Sequence, residues 1–107
     1  MKKLPKSFLV FGQKIKITNK LPMAYAKMYD EQNYNLWGLY LPHETTVYVN
    51  PKQSMEMQWR TLYHELGHAL MYRIGLPYSE EFGAGLHEQI VETYANFIFE
   101  SFHKSNK

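Results

Sequence analysis

The sequence predicts a single α+β domain: a small, mostly antiparallel sheet of three or four strands, followed by two helices. Three observations carry this reading. The first half holds short segments of period-two alternation, such as Lys14-Ile-Lys-Ile-Thr18, and a β-branched, aromatic run at Thr45-Thr-Val-Tyr-Val-Asn50. At Asn50-Pro51 the apolar period changes from that of a strand to that of a helix. Beyond it lie two helical segments separated by a stretch rich in Pro, Gly and acid.

In chain order, residues 7–18 read as a β-hairpin: Phe8-Leu-Val-Phe11 is one strand, Gly12-Gln13 the turn and Lys14–Thr18 the other strand. Pro22 ends that pattern, and residues 23–34 fit helix or loop equally well. Leu36 to Leu41 reads as a strand, Pro42-His43-Glu44 as its turn and Thr45–Asn50 as the next strand. Asn50 suits a helix N-cap and Pro51 the first helical position, with the helix running to Ile74 before Gly75 and Pro77 stop it. Trp59, Leu62, Leu66, Ala69, Leu70 and Ile74 give this helix an apolar stripe. After a loop over 76–85, a second helix is expected at 86–103, with Val91, Ala95, Ile98 and Phe102 toward the core. Glu88, Glu92 and Asn96 form a polar row on it at i, i+4 and i+8. The tail from Lys104 to Lys107 is expected to fray.

A chain of 107 residues fits one domain spanning 1–107, and its 45% hydrophobic and 16% aromatic content argues for a packed globule. There is no Cys, so disulfides, thiolate metal sites and a Cys nucleophile are all excluded. The apolar run after Lys2, Lys3 and Lys6 is too short for a secretory signal, and no segment approaches a membrane span. The expected location is the cytoplasm. The net charge is only +2, yet residues 1–29 carry seven Lys and no acid, and the rest of the chain carries five basic and ten acidic side chains. Such asymmetry suits an acidic partner or nucleic acid; the plainer account is the solvated face of a strand, because Lys14 and Lys16 alternate with Ile15 and Ile17.

The chemistry is concentrated in His64-Glu65-Leu66-Gly67-His68, an H-E-x-x-H motif within the first helix. Residues four apart share a helix face, so His64 and His68 can bind one metal ion, and Glu65 can reach a water beside it. Leu62, Leu66 and Leu70 lie on the opposite face, toward the core. With no Cys available, a metal must be held by His and carboxylate, and the second helix offers two carboxylates as a third ligand. Glu92 is favoured, because Asn96 one turn further on can accept the spare N–H of a liganding His and fix its tautomer. Glu88 is the alternative third ligand. One Zn²⁺ per chain is expected, with Glu65 as general base and then as proton donor to the leaving amine. Gly67, costly inside a helix by about 1 kcal/mol relative to Ala, would let another backbone approach beside the metal. Tyr48, Tyr63, Tyr94 and His43 are candidates to stabilise an oxyanion, none preferred.

His64-Glu-Leu-Gly-His68-Ala-Leu, preceded by a β-branched strand and followed by Glu92-Thr-Tyr-Ala95-Asn96-Phe97, resembles the ImmA/IrrE-type zinc metallopeptidases, most of all the compact phage and mobile-element members. The resemblance is sharpest over residues 45–99. It implies a minimal zincin-like fold, with His64, His68 and Glu92 as ligands and Glu65 as base. It also implies a soluble intracellular protein that cleaves a helix-turn-helix transcriptional repressor. The chain departs from the family pattern around Ala95-Asn96, where Tyr94 and Phe97-Ile98-Phe99 stand.

Two other functions compete with peptide hydrolysis. One is a zinc-stabilised binding domain without turnover, which would have no need of Glu65. The other is a nucleic-acid module built on the Lys-rich hairpin with Phe8, Phe11 and Tyr25. Under the peptidase reading, an extended substrate is expected to pair with the strand at Thr45–Asn50, with Thr45, Val47 and Val49 toward the core and Thr46, Tyr48 and Asn50 on the more polar face.

Overall fold

The computed structural model of the protein describes residues 2–23, 25–26, 36–73 and 84–103. Its elements are strands β1 (Ser7–Val10), β2 (Gln13–Thr18), β3 (Gly38–Leu41) and β4 (Thr46–Val49), then helices α1 (Met55–Arg73) and α2 (Ala84–Ile98). Among the described residues the architecture is the α+β arrangement expected, a four-stranded sheet and two helices. The sheet runs in the order β1-β2-β4-β3, antiparallel at β1–β2 and β3–β4 and parallel at β2–β4. The ambiguous stretch at 23–34, the end of the first helix near Ile74, the loop at 76–85 and the tail lie wholly or largely outside the described residues.

The hairpin turns at Phe11 and Gly12, one residue earlier than Gly12-Gln13, with both residues at positive φ (48° and 80°). Those values are what a two-residue turn matching the twist of the strands requires; Gly adopts them freely, whereas Phe11 pays a cost on the order of 1 kcal/mol. On the helix-facing side of the sheet, Ile15, Ile17, Val47 and Val49 pack against Trp59, Leu62, Leu66 and Phe99 to form the core. Lys14 and Lys16 alternate with the two buried isoleucines and are exposed. Phe8 and Phe11 are exposed as well, at 36% and 65%.

The placement of β4 corrects the expected substrate edge. β4 lies between β2 and β3, so both of its edges are already hydrogen-bonded. All four of its residues are buried, Val47 and Val49 against the helices and Thr46 and Tyr48 at 8% and 7% exposure. Among the described residues, an outer edge of the sheet beside α1 belongs to β3, with no further strand paired to it. Asn50 N–H donates to the Trp37 carbonyl, so the odd-numbered residues of β3 bond to β4 and the backbone groups of Gly38 and Tyr40 point outward.

α1 begins four residues after Pro51. Asn50 closes a turn instead, accepting from Lys52 N–H at 2.9 Å through Oδ1 and donating to the Leu36 carbonyl at 3.0 Å through Nδ2. Ser54 is the cap: its hydroxyl accepts from Met57 N–H at 3.2 Å, and its carbonyl accepts the first helical bond from Gln58. The apolar stripe of α2 runs through Val91, Ala95 and Phe99, the last fully buried, with Ile98 only half-buried. A π-helical turn over Phe99–His103 follows.

Candidate metal centre

α1 and α2 pack closely because Gly67 faces Val91: a Cβ on Gly67 would stand 3.0 Å from Val91 Cγ1. That approach lines up a row on α1, residues 60, 64 and 68, with a row on α2, residues 88, 92 and 96, which residue 100 of the following π-helical turn continues. His64 Nε2 and His68 Nε2 are 3.3 Å apart. The Glu88 carboxylate faces both nitrogens, with Oε2 at 3.3 Å from His64 Nε2 and Oε1 at 3.2 Å from His68 Nε2. Donors held about 2.0–2.1 Å from a tetrahedral ion stand about 3.3–3.4 Å from one another. The two nitrogens and the carboxylate, with one Glu88 oxygen toward each nitrogen, therefore stand about as far apart as donors that would share one zinc ion. His64, Glu65 and His68 each also offer a donor atom within 4.8 Å of the others'.

Glu92 meets the other side of the His64 ring, with Oε2 at 2.8 Å from Nδ1. Asn96 does not reach a histidine; its Nδ2 donates to Glu92 Oε1 at 3.4 Å. So the structure brings all six candidate residues, His64, Glu65, His68, Glu88, Glu92 and Asn96, to one site, but at different removes from the point where the two Nε2 atoms converge.

Glu65 is 9% exposed. Burial pushes its carboxyl up from the ordinary 4.5 to about 7; the Glu88 charge adds to the rise, while His64 and a hydrogen bond from the Tyr40 backbone N–H oppose it. Tyr40 is one of the outward-facing residues of β3, so the edge strand itself holds the carboxylate. β3 can come this close because residue 38 is Gly. A Cβ there would collide with Thr61 Cγ2 and stand 3.1 Å from Glu65 Cγ. Tyr40 also meets Tyr72 of α1 edge to face, with ring centroids 6.2 Å apart.

Beside these residues lies an open cleft of about 570 Å³, with Trp37, Gly38, Met57 and Thr61 among its walls along with His64 and Glu65. Trp37 and Met57 are 52% and 46% exposed. Of the four oxyanion candidates, none lines this cleft among the described residues. Tyr63 packs between Trp59 and Phe99, Tyr48 is buried in the sheet, Tyr94 lines an apolar groove with β1, and His43 sits in the short 3-10 turn Pro42–Glu44. The sequence reading missed Gly38, Tyr40 and Arg60. Arg60 was within reach, being one turn before His64 on the same helical row; no local pattern marks Gly38 or Tyr40 as neighbours of Glu65.

Comparison with known proteins adds one finding of kinship. The peptidase family described as the IrrE N-terminal-like domain (Peptidase_M78) matches residues 19–99, which include β3, β4, α1 and α2. No curated protein and no solved structure matches the chain.

Proposed function

The chain belongs to the IrrE N-terminal-like peptidase family, and from that premise we propose that it is a zinc-dependent endopeptidase of the cell interior, with Glu65 as its general base. The observation that carries this reading is the convergence of His64 Nε2, His68 Nε2 and the Glu88 carboxylate at 3.2–3.3 Å from one another, with the Glu65 carboxylate alongside. In this assignment Glu88, the alternative of the sequence reading, is the third ligand. Glu92 accepts the Nδ1–H of His64 and orients its ring, a role typical of carboxylates behind a metal-bound imidazole.

Zinc bound there supplies Lewis acidity toward a water molecule and toward the scissile carbonyl. Glu65 accepts a proton from the water at its carboxylate and passes it to the departing amine. Tyr40 N–H holds that carboxylate in place. An extended substrate segment pairs with the free edge of β3, where Gly38 presents its N–H and C=O outward, while Trp37 and Met57 offer apolar surface to its side chains. The substrate class we propose is an exposed segment of an intracellular protein, and the family resemblance points to a helix-turn-helix repressor.

Burial of Glu65 favours turnover over a purely structural zinc site. A buried carboxylate costs stability, and structural zinc has no use for a base that coordinates nothing. The test combines metal analysis of the purified protein with co-expression of candidate repressors. Stoichiometric zinc and a shortened partner that stays intact with Glu65→Gln are expected. A zinc-free protein, or equal cleavage by Glu65→Gln, would overturn the reading.

A further inference from the structure

The sheet has a second outer strand, β1, at the edge opposite β3, and among the described residues no further strand pairs with it. Ile17 N–H donates to the Lys6 carbonyl at 2.9 Å, and Ser7 and Leu9 stand opposite Lys16 and Lys14. The backbone groups of Phe8 and Val10 therefore bond to β2, and those of Ser7 and Leu9 point away from it. That edge borders a groove of about 470 Å³ between β1 and the two helices. Its walls include Phe8, Leu9 and Phe11 of the hairpin, Leu70 of α1, and Tyr94 and Ile98 of α2, and no lining residue is charged. Leu9 and Tyr94 are exposed. Phe11 holds a φ of 48° that a bulky residue seldom adopts, and its exposed ring regains little by packing. Strain kept at an exposed aromatic fits a contact made with something else.

The surroundings specify the charge of that contact. Lys14 and Lys16 are exposed, and residues 1–29 hold no acid. Lys14 stands across the hairpin from Leu9 and Lys16 from Ser7, on the face of the sheet away from the helices. The cations thus flank the two residues whose backbone faces outward. We propose that this edge and groove bind an extended segment of a partner protein in which apolar and acidic side chains alternate. The segment adds a strand beside β1 through Ser7 and Leu9. Successive side chains of a strand point to opposite faces, so the apolar set enters the groove and the acidic set meets Lys14 and Lys16. A second copy of this chain suits the edge less, because a symmetric β1–β1 pair would bring the lysines of both copies together. Single-stranded nucleic acid suits it less too, because the groove offers no charge to a phosphate. The inference does not rest on the metal site, which borders the cleft beside β3.

The probe is a short fluorescent peptide alternating Val and Glu, titrated into the full-length chain carrying Glu65→Gln so that nothing is cut. Saturable binding is expected, with slowed amide exchange at Ser7 and Leu9. Leu9→Pro removes an N–H that β2 does not use, and Pro is tolerated on such an edge. Tyr94→Glu places a charge in the groove. Each should weaken binding at least about tenfold, as should Lys14→Glu combined with Lys16→Glu. Thermal unfolding checks that every variant is folded. If Leu9→Pro fails to fold, the peptide carries the same test: N-methylation of its Glu set or of its Val set removes the donors to Ser7 and Leu9, and one of the two should bind at least about tenfold more weakly. Full binding in both Leu9→Pro and Tyr94→Glu, equal binding of a Val–Lys peptide, slowed exchange at Gly38 alone, or no binding at about 1 mM peptide would overturn the inference. A thymidine oligonucleotide that binds more tightly than the peptide would overturn it in favour of nucleic acid. A dimer of the free chain that is lost in Leu9→Pro would overturn it in favour of a second copy.

Discussion

Glu65 is the residue where the requirements of chemistry and of stability conflict. Its folded pKa, pushed to about 7, lies above the ordinary 4.5, so the folded metal-free chain holds a proton that the unfolded chain has released between those values. The associated stability is fully present below about pH 4.5 and is lost as pH rises through about 7. Replacing Glu65 with Gln should therefore stabilise the metal-free protein at pH 8 by on the order of 2–3 kcal/mol and change little at pH 4.5, as read from urea unfolding at the two pH values. The same variant should keep its zinc and lose peptide hydrolysis. A second prediction separates the two carboxylates of α2. Glu88→Ala should abolish stoichiometric zinc, whereas Glu92→Ala should retain it with affinity weakened about 10–100-fold, both measured by elemental analysis and chelator competition. The motif made His64, Glu65 and His68 legible from spacing alone. It could not rank Glu88 against Glu92, because residues one turn apart on α2 point the same way and only the height of α2 against α1 decides which one meets both Nε2 atoms.

Among the elements, β3 gains most from the structure. Its sequence, Gly-Leu-Tyr-Leu, was legible as a strand, and so was β4. Their places in the sheet were not, because β-branched composition marks a buried strand without saying which neighbours bury it. β4 turned out to be interior, which is why it is the fully buried one of the two. The helix boundary shifted for a similar reason: Asn50 and Ser54 are both good caps, and the bond from Asn50 to the Leu36 carbonyl commits it to the sheet's end. With β3 as the edge beside Glu65, Gly38→Ala should cost about 1–3 kcal/mol in urea unfolding, since a methyl there collides with Thr61 and crowds Glu65. A peptide-like zinc chelator should slow amide exchange at Gly38 and leave Thr46–Val49 as in the free protein. Equal new protection along β4 would remove the edge from β3.

Across the whole molecule, the proposed ligands come from two helices, two from α1 and one from α2, so metal binding is also a clamp between helices. At a free zinc concentration 100 times its Kd, the clamp adds about 2.7 kcal/mol. Removing zinc with a chelator should lower the melting temperature by on the order of 10 °C in a chain of this size. Exchange should rise first in α2, while β2 and β4, whose isoleucines and valines pack on Trp59, Leu62 and Leu66 away from the site, are affected last.

The fit of Gly67 against Val91 carries one further consequence. The polar rows of α1 and α2 are ladders with a rung at every turn, and a ladder shifted by one rung still finds partners: a carboxylate for each imidazole, an acceptor for the Arg60 guanidinium. Polarity by itself would leave the two helices free to engage in more than one alignment, like a rack whose teeth are all alike. Gly67 is the missing tooth. Only one height lets Val91 enter the gap, so shape selects the alignment and the rungs merely occupy it. The part of H-E-x-x-H that bears no functional group thereby decides which acid the histidines meet.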